Sequence, residues 1–277
     1  MSDSALEDTA ATGNLAGLGL DPRQAAVIYT EPWPRRVRGV FAHEFVVDST
    51  SALLQFEQQH LPVWYFPRDD VRVDLLRPSA KRTKCPHKGT ASYWDVVVGD
   101  HVAKDAVWSY EDAIAGREDI ANRFAFYWNR IDTWFEEDDE VYVHPRSPYH
   151  RVDVLNSSRH VHVERDGVVL ADTHRPRLLF ETYLPVRYYI PRGDVNEQVL
   201  EASDTHSQCP YKGVASYFSV RIGDELVKDV AWTYPFPIPE CPKVEGLVAF
   251  YNEQCDVTVD GQLQARPETP WSRSQSH

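Results

Sequence analysis

Short runs of alternating apolar and polar residues recur along this chain, and no stretch sustains the 3.6-residue period of an amphipathic helix. In the first half Glu44-Phe45-Val46-Val47-Asp48-Ser49-Thr50, Leu54-Gln55-Phe56-Glu57 and Trp64-Tyr65-Phe66 read as strands. The second half offers Val168-Val169-Leu170-Ala171-Asp172-Thr173-His174, Leu178-Leu179-Phe180-Glu181 and Tyr188-Tyr189-Ile190. All are rich in the β-branched and aromatic residues that suit a pleated surface. Pro67 and Pro191 halt the third strand of each set. Asp166-Gly167, flanked by apolar alternation, is a strong hairpin signal. Gly99-Asp100 and Gly223-Asp224 mark two further hairpin turns, each between long aromatic strands. Residues 112–123 and 239–246 have room for a short helical turn each. Strands this short, at roughly 8–12-residue spacing with turn residues between them, predict an all-β architecture.

The two halves are copies. Cys85-Pro86-His87-Lys88-Gly89-Thr90-Ala91-Ser92-Tyr93 returns as Cys209-Pro210-Tyr211-Lys212-Gly213-Val214-Ala215-Ser216-Tyr217, an offset of 209 − 85 = 124 residues. The same offset aligns residues 37–132 with 161–256 without a gap. A match of this length divides the 277 residues into two domains of ordinary size. The division expected is a tail and lead-in over 1–35, a first repeat over 36–145, a connection over 146–158, a second repeat over 159–262 and a tail over 263–277. Trp33 reads as an anchor for the lead-in, and the acidic run 136–140 as a solvated turn.

Composition narrows the function classes. A net charge of −13 argues against nucleic acid, whose binders present a basic face. No apolar run reaches the roughly 18–20 residues that span a bilayer, and the N-terminus lacks a signal-peptide pattern, so no membrane is expected and the location reads as cytoplasmic. The four cysteines include no Cys-x-x-Cys pair, and histidines do not recur in register between the copies. Neither a metal nor another cofactor is therefore implied. Eight Trp and fourteen Tyr against one Met favour rigid aromatic surfaces. Nothing in the pattern fixes an oligomeric state.

The blocks Trp64-Tyr65-Phe66-Pro67-Arg68, Cys209 to Tyr217, Ala231-Trp232-Thr233-Tyr234-Pro235 and Val248-Ala249-Phe250-Tyr251 resemble the family called domain of unknown function 427. The segment from Val143 to Asp153 resembles the connection in its two-copy members. The resemblance implies two small antiparallel β domains in tandem, each with two sheets meeting like a tent, with little helix. It also implies kinship with modules that hold small molecules in aromatic pockets. The paired Cys-x-x-Cys motifs that hold zinc in some relatives of that fold are absent here. So is the Gly-Ser pair with spaced aspartates that a nucleotidyltransferase label would require.

Lys88 and Lys212, each between a Pro turn and an aromatic strand, are the first candidates for chemistry. Each can pair with Glu57 or Glu181 to hold its loop, meet a ligand anion as a point charge, or act as base or imine former if desolvated. Arg68 and Arg192 recur after the Pro turn, either paired with Asp70 and Asp194 or facing an anionic ligand. Trp108 with Tyr110, and Trp232 with Tyr234, alternate and so share a face, as core or as a stacking wall; Tyr93 and Tyr217 complete the aromatic set. Cys85 and Cys209 are buried core thiols or nucleophiles, but His87 has no counterpart, since Tyr211 stands in its place. Two functions lead, ahead of a partner-binding scaffold that would use an aromatic face. One is a small-molecule-binding protein, for an anionic or zwitterionic ligand, with aromatic pockets rimmed by Lys, Arg and Glu. The other is an enzyme using Lys212, Glu181 and Cys209 in an inter-repeat cleft.

Overall fold

The computed structural model describes residues 28–57, 60–269 and 272; the expected N-terminal tail and most of the C-terminal one lie outside them. Two compact units divide at 149/150. The first contains β1 (Ile28–Pro32), β2 (Val37–Phe41), β3 (Glu44–Ser49), β4 (Leu53–Glu57), β5 (Val63–Phe66), β6 (Leu76–Cys85), β7 (Gly89–Val98), β8 (His101–Ser109), β9 (Phe124–Phe126), β10 (Thr133–Glu136) and β11 (Asp139–Val141). They form a seven-stranded sheet, β1-β4-β5-β9-β8-β7-β6, and a four-stranded one, β11-β10-β2-β3.

The second unit contains β12 (Val152–Asn156), β13 (Val161–Arg165), β14 (Val168–Thr173), β15 (Arg177–Glu181), β16 (Arg187–Ile190), β17 (Leu200–Cys209), β18 (Gly213–Ile222), β19 (Glu225–Thr233), β20 (Val248–Phe250), β21 (Asp256–Val259) and β22 (Gln262–Leu263). Its sheets run β12-β15-β16-β20-β19-β18-β17 and β14-β13-β21-β22. The chain is thus all-β, with two tandem copies of one two-sheet, tent-like domain. Among the described residues the helical pieces are three-residue 3-10 turns. None is long and apolar enough to cross a membrane. Residues 112–123 form turns without a helix, and the second copy keeps one 3-10 turn, Pro242–Val244.

The predicted hairpins close as their turn residues require. Asp166 and Gly167 both have positive φ, 50° and 79°, as a type I′ turn demands. Ala42 and His43 take the same conformation in the first copy, at φ 47° and 67°, without a glycine to ease it. Residues 28–32 and 152–156 are edge strands of the large sheets, pairing with β4 and β15, so lead-in and connection each contribute a strand. Trp33 is buried, and its amide donates to the Ala52 carbonyl. In the acidic run Glu136 belongs to β10 and is buried, paired with Arg35; the turn proper begins at Glu137.

Strand alternation builds the core in two layers. Trp64 and Phe66 join Val37, Val47, Leu54 and Val107 in one cluster, while Tyr65, between them, joins Tyr93, Tyr110 and Ala125 in another. The second unit repeats the division, with Ile190 in one cluster and Tyr189 in the other.

The copies fall out of step once. Trp134 pairs with Gly39, whereas Val163, the counterpart of Gly39, pairs with Val257. The gapless offset therefore ends before residue 132, because the first copy has one residue more in the corner between β9 and β10. That slip sets Trp134 opposite a glycine. A Cβ on Gly39 would lie 2.8 Å from the Trp134 ring, so the missing side chain makes room for the indole.

Candidate ligand site

The Cys-Pro-x-Lys-Gly segment is a turn between the two longest strands of each unit. The Lys88 amide donates to the Cys85 carbonyl, and the Lys88 carbonyl accepts from Ile114; Lys212 repeats this with Cys209 and Ile238. Gly89 and Gly213 sit at φ 110° and 101°, against the carbonyls of Asp112 and Phe236, where a side chain would be strained. With its backbone pinned, each lysine turns inward. Lys88 Nζ lies 2.6 Å from Glu57 Oε2 and 3.4 Å from Gln55 Oε1. Lys212 Nζ lies 2.6 Å from Glu181 Oε2, and both side chains are more than nine-tenths buried.

Beyond these ion pairs the units differ. In the first, a cavity of about 830 Å³ is lined by Glu57, Lys88, Tyr93, Trp108 and Tyr110, five of the residues expected from sequence. It lies where β5 begins and β9 ends. Because β9 is only three residues long, Tyr127 and Trp128 leave the sheet directly after it and turn into the cavity wall. The Trp108 and Tyr127 rings stand 4.7 Å apart. Trp64, Trp128 and Trp134 form a second cluster, with ring centroids 5.5–5.7 Å apart. Trp64 Nε1 is buried and has no acceptor among the described residues. Lys81 places its ammonium 4.4 Å from the Tyr93 centroid and 5.4 Å from that of Tyr127. Burial pushes the Tyr127 phenol up to about 12, so this ring stays neutral at physiological pH.

At the equivalent place the second unit sets an arginine. Arg187 stands where the first unit has Val63, at matching positions opposite Leu179 and Gln55. Its guanidinium lies 5.5 Å from the Trp232 centroid and 5.7 Å from that of Tyr251, the counterparts of Trp108 and Tyr127. A bidentate pair to Glu253, at 2.7 and 2.8 Å, holds it there. Thr269 also donates to Glu253, at 2.6 Å. Burial opposes the charge on Glu253, but these donors keep its carboxyl below the usual range.

Lys212 belongs to a held network. His150 Nε2 lies 3.0 Å from Glu181 Oε1, and the His150 ring stacks 4.1 Å from that of Tyr211. Burial alone would raise the Glu181 carboxyl and lower the Lys212 ammonium. The neighbouring partners outweigh it, so Glu181 is held below and Lys212 above the ordinary value. This lysine is an ammonium at neutral pH, whereas an imine requires the free amine. Cys241 and Cys255 are buried, with their thiols pushed up to about 11 and about 12 by desolvation, and at neutral pH they stay protonated. Cys85 lines the cavity, and Cys209 is half-buried.

The arginines go elsewhere. Arg68 lies 4.8 Å from the Phe124 centroid, outside the cavity lining. Arg192 packs over Phe218 and pairs with Glu197 at 2.6 Å. Asp70 accepts instead from Ser49, and Asp194 from Thr173 and Arg175, so the local Arg–Asp pairing read from sequence does not form. Tyr217 bonds Ser207, while Trp232 and Tyr234 are buried in the second unit's core. Among the described residues no group of three or more His, Cys, Asp or Glu side chains is placed to hold a metal ion.

Sequence reasoning missed Val63, Tyr127, Trp128, Trp134 and Arg187. The signal lay in differences between the copies, Val63 against Arg187 above all, and not in the identities that make the repeat visible.

A family model described as a domain of unknown function (DUF427) matches residues 29–137 and again 153–261. The chain belongs to the DUF427 family. Both matched regions take in the edge strands β1 and β12. No curated protein matches the chain.

Proposed function

We propose that this DUF427 protein binds a small molecule in its first unit, and that the second unit is a closed copy of the same site. The observation that carries this reading is the cavity of about 830 Å³, a size in the range of small-molecule sites. Its walls have the composition such sites use, broad aromatic surfaces with a few polar groups, here the Lys88–Glu57 pair and Gln55. The second unit supports it by contrast, because Arg187 and Glu253 occupy the corresponding position. The catalytic alternative through Lys212, Glu181 and Cys209 has less support, since Lys212 is held as a charged, buried partner of Glu181.

The test is native mass spectrometry of the full chain purified from its own host. The expected result is a retained mass that is lost in Val63→Arg, which copies the second unit's closure into the first. A chain with no retained mass, whose tryptophan emission also ignores a host metabolite extract, would overturn the reading.

A further inference from the structure

The two copies show what this aromatic wall attracts when the chain supplies the occupant. In the second unit it is the Arg187 guanidinium, over Trp232 and Tyr251. In the first, Lys81 reaches from strand β6 and sets its ammonium over Tyr93 and Tyr127. Both are cations on ring faces, where the quadrupole of an aromatic ring is negative. They arrive from different strands, β16 and β6, so the preference belongs to the wall and not to one shared side chain.

The first unit lacks a cation at that position, because Val63 ends where Arg187 extends; the lysines on its cavity lining are Lys84 and Lys88, the latter paired with Glu57. It also lacks a counterpart to the anion, since the corner that holds Glu253 in the second unit holds Trp128, Asn129 and Arg130 in the first. The carboxylate on the cavity lining, Glu57, is already taken by Lys88 at 2.6 Å. A guanidinium or primary ammonium placed here would bring N–H donors without a carboxylate to receive them. A quaternary ammonium has no N–H and needs only ring faces.

Resting on the binding function above, we propose that the cavity takes a quaternary ammonium group, seated on Trp108 and Tyr127 in the place Arg187 takes on Trp232 and Tyr251. Lys81 is then a resident competitor at the outer edge of the same wall. Its side chain is about one-third exposed, and its ammonium, 3.9 Å from the Asp105 carboxylate, can keep to that partner when a ligand enters.

The experiment titrates tryptophan emission of the full chain at constant ionic strength with choline, with its uncharged isostere 3,3-dimethylbutan-1-ol, and with acetate. Choline is expected to bind about tenfold more tightly than the isostere, within the range of a desolvated cation–π contact. Tyr127→Leu, which removes one half-exposed ring, is expected to erase that preference. Lys81→Met is expected to tighten choline two- to fivefold, by removing the competing ammonium. This second variant alters only a surface side chain, so it tests the idea even if the first disturbs folding. Equal binding of choline and the isostere, or binding of acetate alone, overturns the cation while leaving the cavity a ligand site. The cation is likewise overturned if choline fails to bind a chain that retains a host molecule. Failure of all three probes together with no retained molecule overturns both.

Discussion

Lys212 illustrates how burial changes the meaning of a residue. Exposed, it would be a reactive amine in a signature motif; in place it is an ammonium locked between Glu181 and the Cys209 turn. Removing one partner of a buried pair leaves the other charge uncompensated, which typically costs about 3–5 kcal/mol. Lys212→Met is therefore expected to lower the second unit's stability by that amount in urea denaturation. Asp194 gives a pH handle. Its carboxyl is held down from 3.8 to about 2, first by the hydrogen bond from Arg175 and then by that from Thr173. A carboxyl depressed in the folded state contributes stability above its unfolded value and loses it as pH falls through the folded one. Melting temperature should thus drop between pH 3.8 and about 2, and Asp194→Asn should flatten that slope. Gly39 is the third case. A valine there, as at Val163, would collide with Trp134, and overpacking of this kind costs about 1–3 kcal/mol. Gly39→Val should shift tryptophan emission as well as lower the melting temperature.

At the scale of elements, the short strands β5 and β9, and β16 and β20, frame the candidate site. Both pairs end at the same aromatic wall, and a single strand-opening residue, Val63 or Arg187, determines what lies against it. Arg187→Met should destabilise the second unit by about 3–5 kcal/mol, because Glu253 is left buried without its partner. Arg187→Met combined with Glu253→Asn should recover much of that loss, and with both single variants the departure from additivity in a double-mutant cycle measures the pair. The recurring hairpins were legible in sequence because turn chemistry is local: Asp166-Gly167, Gly99 and Gly223 take φ angles that few other residues adopt. The edge strands β1 and β12 were not. They lie at the margin of the matched blocks, and their place depends on the backbone of β4 and β15, not on their own pattern.

Among the described residues, each hydrophobic cluster is drawn from one unit alone, so each unit carries its own core. A fragment of residues 150–277 is expected to fold by itself in circular dichroism. A fragment starting at 159, the boundary the repeat suggests, lacks β12 and bares the β15 edge, and should melt lower and aggregate. What the amino-acid order determined by itself was the all-β class, the duplication and the Lys–Gly turn, because periodicity, repetition and turn preference are written in adjacent residues. Lys88 with Glu57, and Trp108 with Tyr110, were also found this way, since a lysine beside an aromatic strand and same-face alternation are local features. The tertiary structure decided what stands at the aromatic wall of each copy. In the first a one-residue slip sets Trp134 against Gly39, and in the second an arginine meets a carboxylate partner 66 positions further along the chain. Neither is local, and only folding brings such groups within reach of each other.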